Sequence, residues 1–165
     1  MPNIMEYKFD EKLQPIVQKA EKYCSDDEHC RSSVRAKLLI WGASRTDVDT
    51  IVQYLCDNDY INEERYALQY CSGKMRMQKW GRVKMAYQLR SKQIPRNIIE
   101  KTLEAIDKDA YNRILFDLAR TRWEQLATER DEVRRHNKVC TFLSSKGFEM
   151  GEILQTLNIL KESQQ

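Results

Sequence analysis

Three turn positions in this chain, Gly42, Gln93 and Gly147, stand 51 and 54 residues apart, and the apolar residues around them recur in one register. Eight residues before the turn lie Val34, Met85 and Val139; four before, Leu38, Leu89 and Leu143; one after, Ala43, Ile94 and Phe148. Six after come Val48, Ile99 and Ile153; ten after, Val52, Leu103 and Leu157; thirteen after, Leu55, Ile106 and Leu160. These offsets belong to two amphipathic helices joined by a tight turn, and their repetition predicts a tandem array of three three-helix units. The units are read as 11–57, 58–106 and 107–165, after a loose lead-in over 1–10. A unit of about 50 residues buries little core by itself, so each is expected to lean on its neighbour in an elongated, curved row.

The rest of the chain fits an all-α fold. Five glycines and three prolines in 165 residues leave little turn chemistry for a many-stranded sheet. A first helix is expected from Leu13 to about Cys24. Ser32 or Ser33 is read as the cap of the second helix, which Gly42 ends, and Thr46 with Asp49 as the cap of the third. Asn62 is a further N-cap, followed by Glu63 and Glu64, where carboxylates suit the helix dipole and are expected to be solvated. A helix to about Met77, a basic helix over 82–92 and a helix opened by Pro95 follow. The last three helices carry Tyr111 to Trp123, Val139 to Leu143, and Ile153 to Leu160.

Charge is unevenly spread. Residues 1–56 hold 8 Lys/Arg and 9 Asp/Glu, residues 57–106 hold 10 and 6, and residues 107–165 hold 10 and 10. No acidic residue lies between Glu64 and Glu100. A solvated helix face ordinarily mixes signs, so a run without acids points to an anionic partner. Lys74, Arg76, Lys79, Arg82 and Lys84, with Arg90 and Lys92, are the candidate phosphate contacts, and such contacts give salt-sensitive binding with little sequence preference. Trp80 sits in the break between two basic helices and is the aromatic candidate. Arg134, Arg135 and Lys138 are a weaker extension, diluted by Asp131 and Glu132.

Catalytic chemistry is hard to find. The sequence has no phosphate-binding loop, no nucleophile elbow and no H-E-x-x-H, and His29 and His136 are its only histidines. No enzyme activity, cofactor or metal is expected. The five cysteines form no C-x-x-C pair and read as reduced thiols. No apolar run approaches the roughly 20 residues needed to cross a bilayer, and the N-terminus has no signal-peptide core, so a cytoplasmic protein without membrane contact is expected.

Lys37-Leu38-Leu39-Ile40-Trp41-Gly42, the stripe Val48, Ile51, Val52, Leu55, and Tyr60-Ile61-Asn62-Glu63-Glu64-Arg65-Tyr66-Ala67 together resemble the RecX family of bacterial recombination regulators. The resemblance continues through Lys79-Trp80-Gly81 and Lys92-Gln93-Ile94, and more loosely through Lys146-Gly147-Phe148. Gln93 departs from the family's usual glycine. Ala43 replaces a common aromatic, and Ile40-Trp41 replace frequent basic residues, which lowers the first unit's expected share in binding. The resemblance implies a modular, monomeric protein that lies in the groove of the RecA–DNA filament and inhibits ATP hydrolysis, strand exchange and co-protease activity. It also implies a place in DNA repair, recombination and the SOS response, with RecA and single- and double-stranded DNA as partners.

Two other readings stay open. Three-helix units also describe helix-turn-helix DNA-binding regulators, in which Arg82, Lys84, Tyr87, Gln88 and Ser91 would face base edges. A purely structural adaptor would tolerate neutralisation of the basic run.

Overall fold

A computed structural model describes residues 6–165. Of the lead-in, residues 1–5 lie outside the described residues. The remainder is irregular but not loose: Tyr7 and Phe9 each pack edge-on against Tyr54 with centroids 5.3 Å apart, and the Tyr7 hydroxyl donates to Asp57. The aromatic side chains supply the anchor that a search for helix periodicity passes over.

The described residues form nine α-helices and no strand. They are α1 (Gln14–Asp26), α2 (Arg31–Ile40), α3 (Arg45–Asp57), α4 (Glu63–Gln78), α5 (Arg82–Ser91), α6 (Arg96–Glu104), α7 (Lys108–Gln125), α8 (Glu132–Ser145) and α9 (Met150–Ser163). Read in threes, they reproduce the repeat order expected from the spacing. The three aligned turn residues all adopt positive φ: 98° at Gly42, 63° at Gln93 and 94° at Gly147. At Gly42 and Gly147 the turn closes identically. The Gly42 amide donates to the Leu39 carbonyl (3.1 Å) and the Ala43 amide to that of Leu38 (3.0 Å); Gly147 and Phe148 donate to Ser144 (3.0 Å) and Leu143 (3.2 Å). This is the paired helix-ending bond of a left-handed C-terminal residue. All the aligned apolar positions are buried except Leu103 and Ile106, both in the middle repeat and both half-buried.

Several caps differ from expectation. Cys30, not Ser32 or Ser33, is the N-cap of α2, and the Ser32 hydroxyl instead donates to the Lys92 carbonyl at 2.9 Å. The cap of α3 is Ser44, two residues before Thr46; its hydroxyl accepts from the Asp47 amide (3.2 Å) and donates to the Asp47 carboxylate (2.7 Å). Both Ser-x-x-Asp and Thr-x-x-Asp fit the box pattern, and the tight turn after Gly42 brings Ser44 to the helix start. Pro95 is the N-cap of α6 rather than its first helical residue. Asn62 caps α4 as expected, accepting from the Arg65 amide at 3.0 Å.

The described chain falls into two compact units. One holds the described residues through Gln69 together with Lys92–Ile94; the other holds Tyr70–Ser91 and Pro95–Gln165. In the first, Val17, Ala20 and Cys24 of α1 meet Val34 and Leu38 of α2 and Val48, Ile51, Val52 and Leu55 of α3. Glu63 is only 9% exposed here, contrary to its reading as a solvated first-turn carboxylate, and lies 3.4 Å from the Arg31 guanidinium. In the second unit, Tyr111, Leu115, Ala119 and Trp123 of α7 pack with Val139 and Leu143 of α8 and Ile153, Leu157 and Leu160 of α9. Met75 and Ile106 close against that core. No helix among the described residues is long and apolar enough to cross a membrane.

Candidate nucleic-acid interface

The basic stretch is shaped by how α4 ends. Lys79 takes a left-handed conformation (φ 58°), with its amide on the Met75 carbonyl at 3.1 Å and the Trp80 amide on that of Lys74 at 3.3 Å. This reversal sets the Trp80 ring between two ammonium groups, Lys74 Nζ at 4.9 Å and Lys84 Nζ at 4.8 Å from its centroid. Lys74 also lies 5.5 Å from the Tyr70 ring. The π-face attracts cations, so the half-buried Trp80 organises a pair of lysines.

Gly81 then joins α5 to the turn between α8 and α9. Its amide donates to the Lys146 carbonyl at 2.8 Å, and that of Val83 to the Gly147 carbonyl at 2.9 Å. The Arg82 amide donates to the Tyr111 hydroxyl at 3.1 Å. Three amides that would otherwise be orphaned at a helix start therefore have partners inside the protein, and the α5 N-terminus is not a phosphate cradle.

Part of the basic run is likewise committed internally. Arg82 stacks 3.9 Å from the Tyr111 centroid and faces Glu149 at 3.8 Å, leaving its side chain 23% exposed. Tyr111 in turn donates to the Glu149 carboxylate (3.0 Å), and burial above all pushes its hydroxyl well above the usual tyrosine range. Lys84 reaches the Ser145 carbonyl at 3.5 Å, and Lys146 the Gln78 carbonyl at 2.8 Å. Both ammonium groups thus sit at helix C-termini, where the dipole favours them.

The eight expected contacts therefore separate. Lys74, Trp80 and Lys84 come together; Arg82 turns inward; Arg76, Lys79 and Arg90 are exposed; and Lys92 belongs to the first unit, where its carbonyl accepts from Ser32. Two residues of this surface were not among the expected phosphate or aromatic contacts. Lys146 joins the α4 end from the third repeat. Its signal was available, since it precedes Gly147 as Lys92 precedes Gln93. Tyr87, which entered only as a base-edge candidate, is 63% exposed on α5, the face opposite the buried Met85 and Leu89.

Outside this stretch the cations are mostly paired. Arg35 bonds Asp49 at 2.5 Å, and Lys19 and Lys37 lie over Trp41 (4.8 Å) and Tyr23 (5.8 Å). His29 stacks on Tyr23 with centroids 3.7 Å apart. In the third repeat, Arg135 turns in over Trp123 at 4.0 Å and donates Nε to its carbonyl at 3.0 Å, whereas Arg134 is exposed.

An all-helical chain of repeated three-helix units with a basic, acid-free central stretch of sequence defines a class of helical-repeat proteins. The family model described as RecX, second three-helix domain, matches residues 62–103, from the cap of α4 to the last turn of α6. The regulatory protein RecX of Clostridium tetani is 28% identical over 142 residues, 86% of this chain and 65% of that protein. The RecX of Chlorobium limicola is 28% identical over 141 residues, 86% of each. The chain spans 54% of the length of a Clostridium botulinum RecX that it matches at 29% identity. The crystal structure of RecX from Lactobacillus salivarius superposes with a TM-score of 0.82 at 23% identity, covering 90% of this chain and 96% of that one. The chain is thus similar to proteins named regulatory protein RecX over most of its length, and it shares their fold.

Proposed function

We propose that this chain is a negative regulator of the RecA recombinase, binding in the groove of the RecA–DNA filament and lowering its ATP hydrolysis, strand exchange and co-protease activity. Similarity to proteins named regulatory protein RecX supports the partner. The exposure of Arg76, Lys79 and Arg90 on a stretch without acidic residues carries the DNA-facing part of the reading. These cations meet phosphates of single- or double-stranded DNA, with Lys74 and Lys84 held beside them by Trp80. The units 11–57, 58–106 and 107–165 act as a monomeric cytoplasmic array without a cofactor, the middle one holding the strand and the outer ones extending contact along the groove.

The reading as a sequence-specific helix-turn-helix regulator is less well supported. Of its base-edge candidates, Arg82 and Lys84 make internal contacts and the Ser91 hydroxyl donates to Gln88 at 2.6 Å. A competition experiment separates the two. Equal affinity for random and selected duplexes, with inhibition of RecA-dependent ATP hydrolysis on single-stranded DNA, is expected; tight binding to one selected duplex with no effect on RecA would contradict the proposal.

A further inference from the structure

The third repeat carries a groove of about 640 Å³ along the outer face of α8, and its chemistry differs from that of the basic stretch. Its cations are Arg122, Arg134 and Lys138, and its apolar residues include Val133 and Phe142, with Asp131 at one end. Val133 is 69% exposed, an apolar side chain with no cover at the start of a helix. Arg122 is already held, 5.2 Å from the Phe142 centroid and donating Nη1 to Gln125 at 3.2 Å, so little order is lost when it meets a ligand.

Lys138 stands nine residues before Gly147, as Lys84 stands nine before Gln93, so this face of α8 is the repeat counterpart of the Lys84 face of α5. The two faces differ in sign pattern. The sequence of α5 holds no acid, and the Glu149 carboxylate near it is taken by Arg82 and Tyr111, whereas here Lys138 is paired with Glu129 at 2.8 Å, and Asp131 and Glu132 begin the helix. A phosphodiester chain places a charge at every step and would meet those carboxylates. A protein segment can put a carboxylate opposite Arg122 and another opposite Arg134 while laying an apolar side chain on Val133.

We infer that this groove docks an acidic, partly apolar segment of the RecA subunit, so that the third repeat holds protein while the second holds DNA. The inference rests on the reading of the chain as a RecA regulator. Contacts that combine a buried apolar anchor with cations of complementary sign carry much of an interface's energy and fix its register.

The test compares wild-type protein with Val133→Asp and with Arg122→Gln/Arg134→Gln. Half-inhibitory concentration against RecA ATP hydrolysis on single-stranded DNA is measured beside affinity for a fluorescent oligo-dT. Val133→Asp leaves the fold intact, because the side chain is exposed and an acid suits the first turn of α8. The expected result is an oligo-dT affinity within about twofold of wild type and a rise of about tenfold or more in the inhibitory concentration, the size of one lost anchor. Unchanged inhibition by both variants overturns the docking assignment and leaves the regulatory reading standing. Oligo-dT affinity that falls in step with inhibition makes the groove a nucleic-acid surface instead. Wild-type protein that neither binds nor inhibits RecA removes both readings.

Discussion

Gly81 and Gly147 meet backbone to backbone: a Cβ built on Gly81 would lie 2.3 Å from the Gly147 carbonyl oxygen, and one on Gly147 would lie 2.2 Å from Lys84 Cβ. The loop between α4 and α5 is therefore closed directly onto the turn between α8 and α9, with no side chain separating them. The bonds from Gly81 to Lys146 and from Val83 to Gly147 hold this seam.

Gly81→Ala is expected to destabilise the protein by about 2–4 kcal/mol, because backbone must move to admit the methyl group. Gly42→Ala meets nothing within 4 Å and bears only the conformational cost of a left-handed residue, about 1–2 kcal/mol. Urea unfolding of the two variants checks the order. A Gly81→Ala variant as stable as wild type would show that the seam is dispensable.

Gln93 occupies at φ 63° the conformation that glycine takes at the two equivalent turns. Gln93→Gly should therefore stabilise the protein by about 0.5–1 kcal/mol, the relief of left-handed strain less the extra freedom of glycine in the unfolded chain. The readout is the denaturant midpoint. A lower midpoint would mean that the glutamine side chain makes a contact worth more than the strain.

The inward contacts of Arg82 separate its role from those of its exposed neighbours. Arg82→Gln loses the Tyr111 stack and the Glu149 pair, and is expected to cost about 1–2 kcal/mol of stability. Arg76→Gln, Lys79→Gln and Arg90→Gln should leave the melting temperature nearly unchanged. Each should lower the slope of log affinity for single-stranded DNA against log salt by about 0.7. Parallel melts and salt titrations give both quantities.

Glu63 couples the first unit to pH. Burial raises its carboxyl above the usual glutamate range despite the Arg31 partner. The folded state thus retains a proton that the unfolded chain has released, and this contribution is complete below the ordinary glutamate pKa and lost as pH rises through the raised one. Across about pH 4 to 7, urea midpoints of wild type should fall relative to those of Glu63→Gln as pH increases. A difference independent of pH would contradict the raised value.

The repeat register was readable because it depends on spacing alone. Identical offsets around Gly42, Gln93 and Gly147 placed the left-handed turns and all but Leu103 and Ile106 of the aligned buried positions. Charge pairing was not readable in the same way. Arg82 looks like its exposed neighbours in the sequence, and only tertiary packing brings it to Tyr111 and Glu149. Glu63 and Arg31 are separated by a whole helix pair, so no local pattern announces that the carboxylate is buried. Caps fell between these cases: Asn62 is unambiguous, whereas Ser44 and Thr46 compete within three residues and the preceding turn decides.

RecA ATP hydrolysis on single-stranded DNA, measured with wild-type protein and with Arg76→Gln/Lys79→Gln/Arg90→Gln, tests the central claim most directly. Wild-type protein should suppress turnover, and the triple variant, melting at the same temperature, should need about tenfold or more protein for the same effect, as expected when several phosphate contacts are removed. Turnover unaffected by wild-type protein, or suppressed equally by both, would contradict the account.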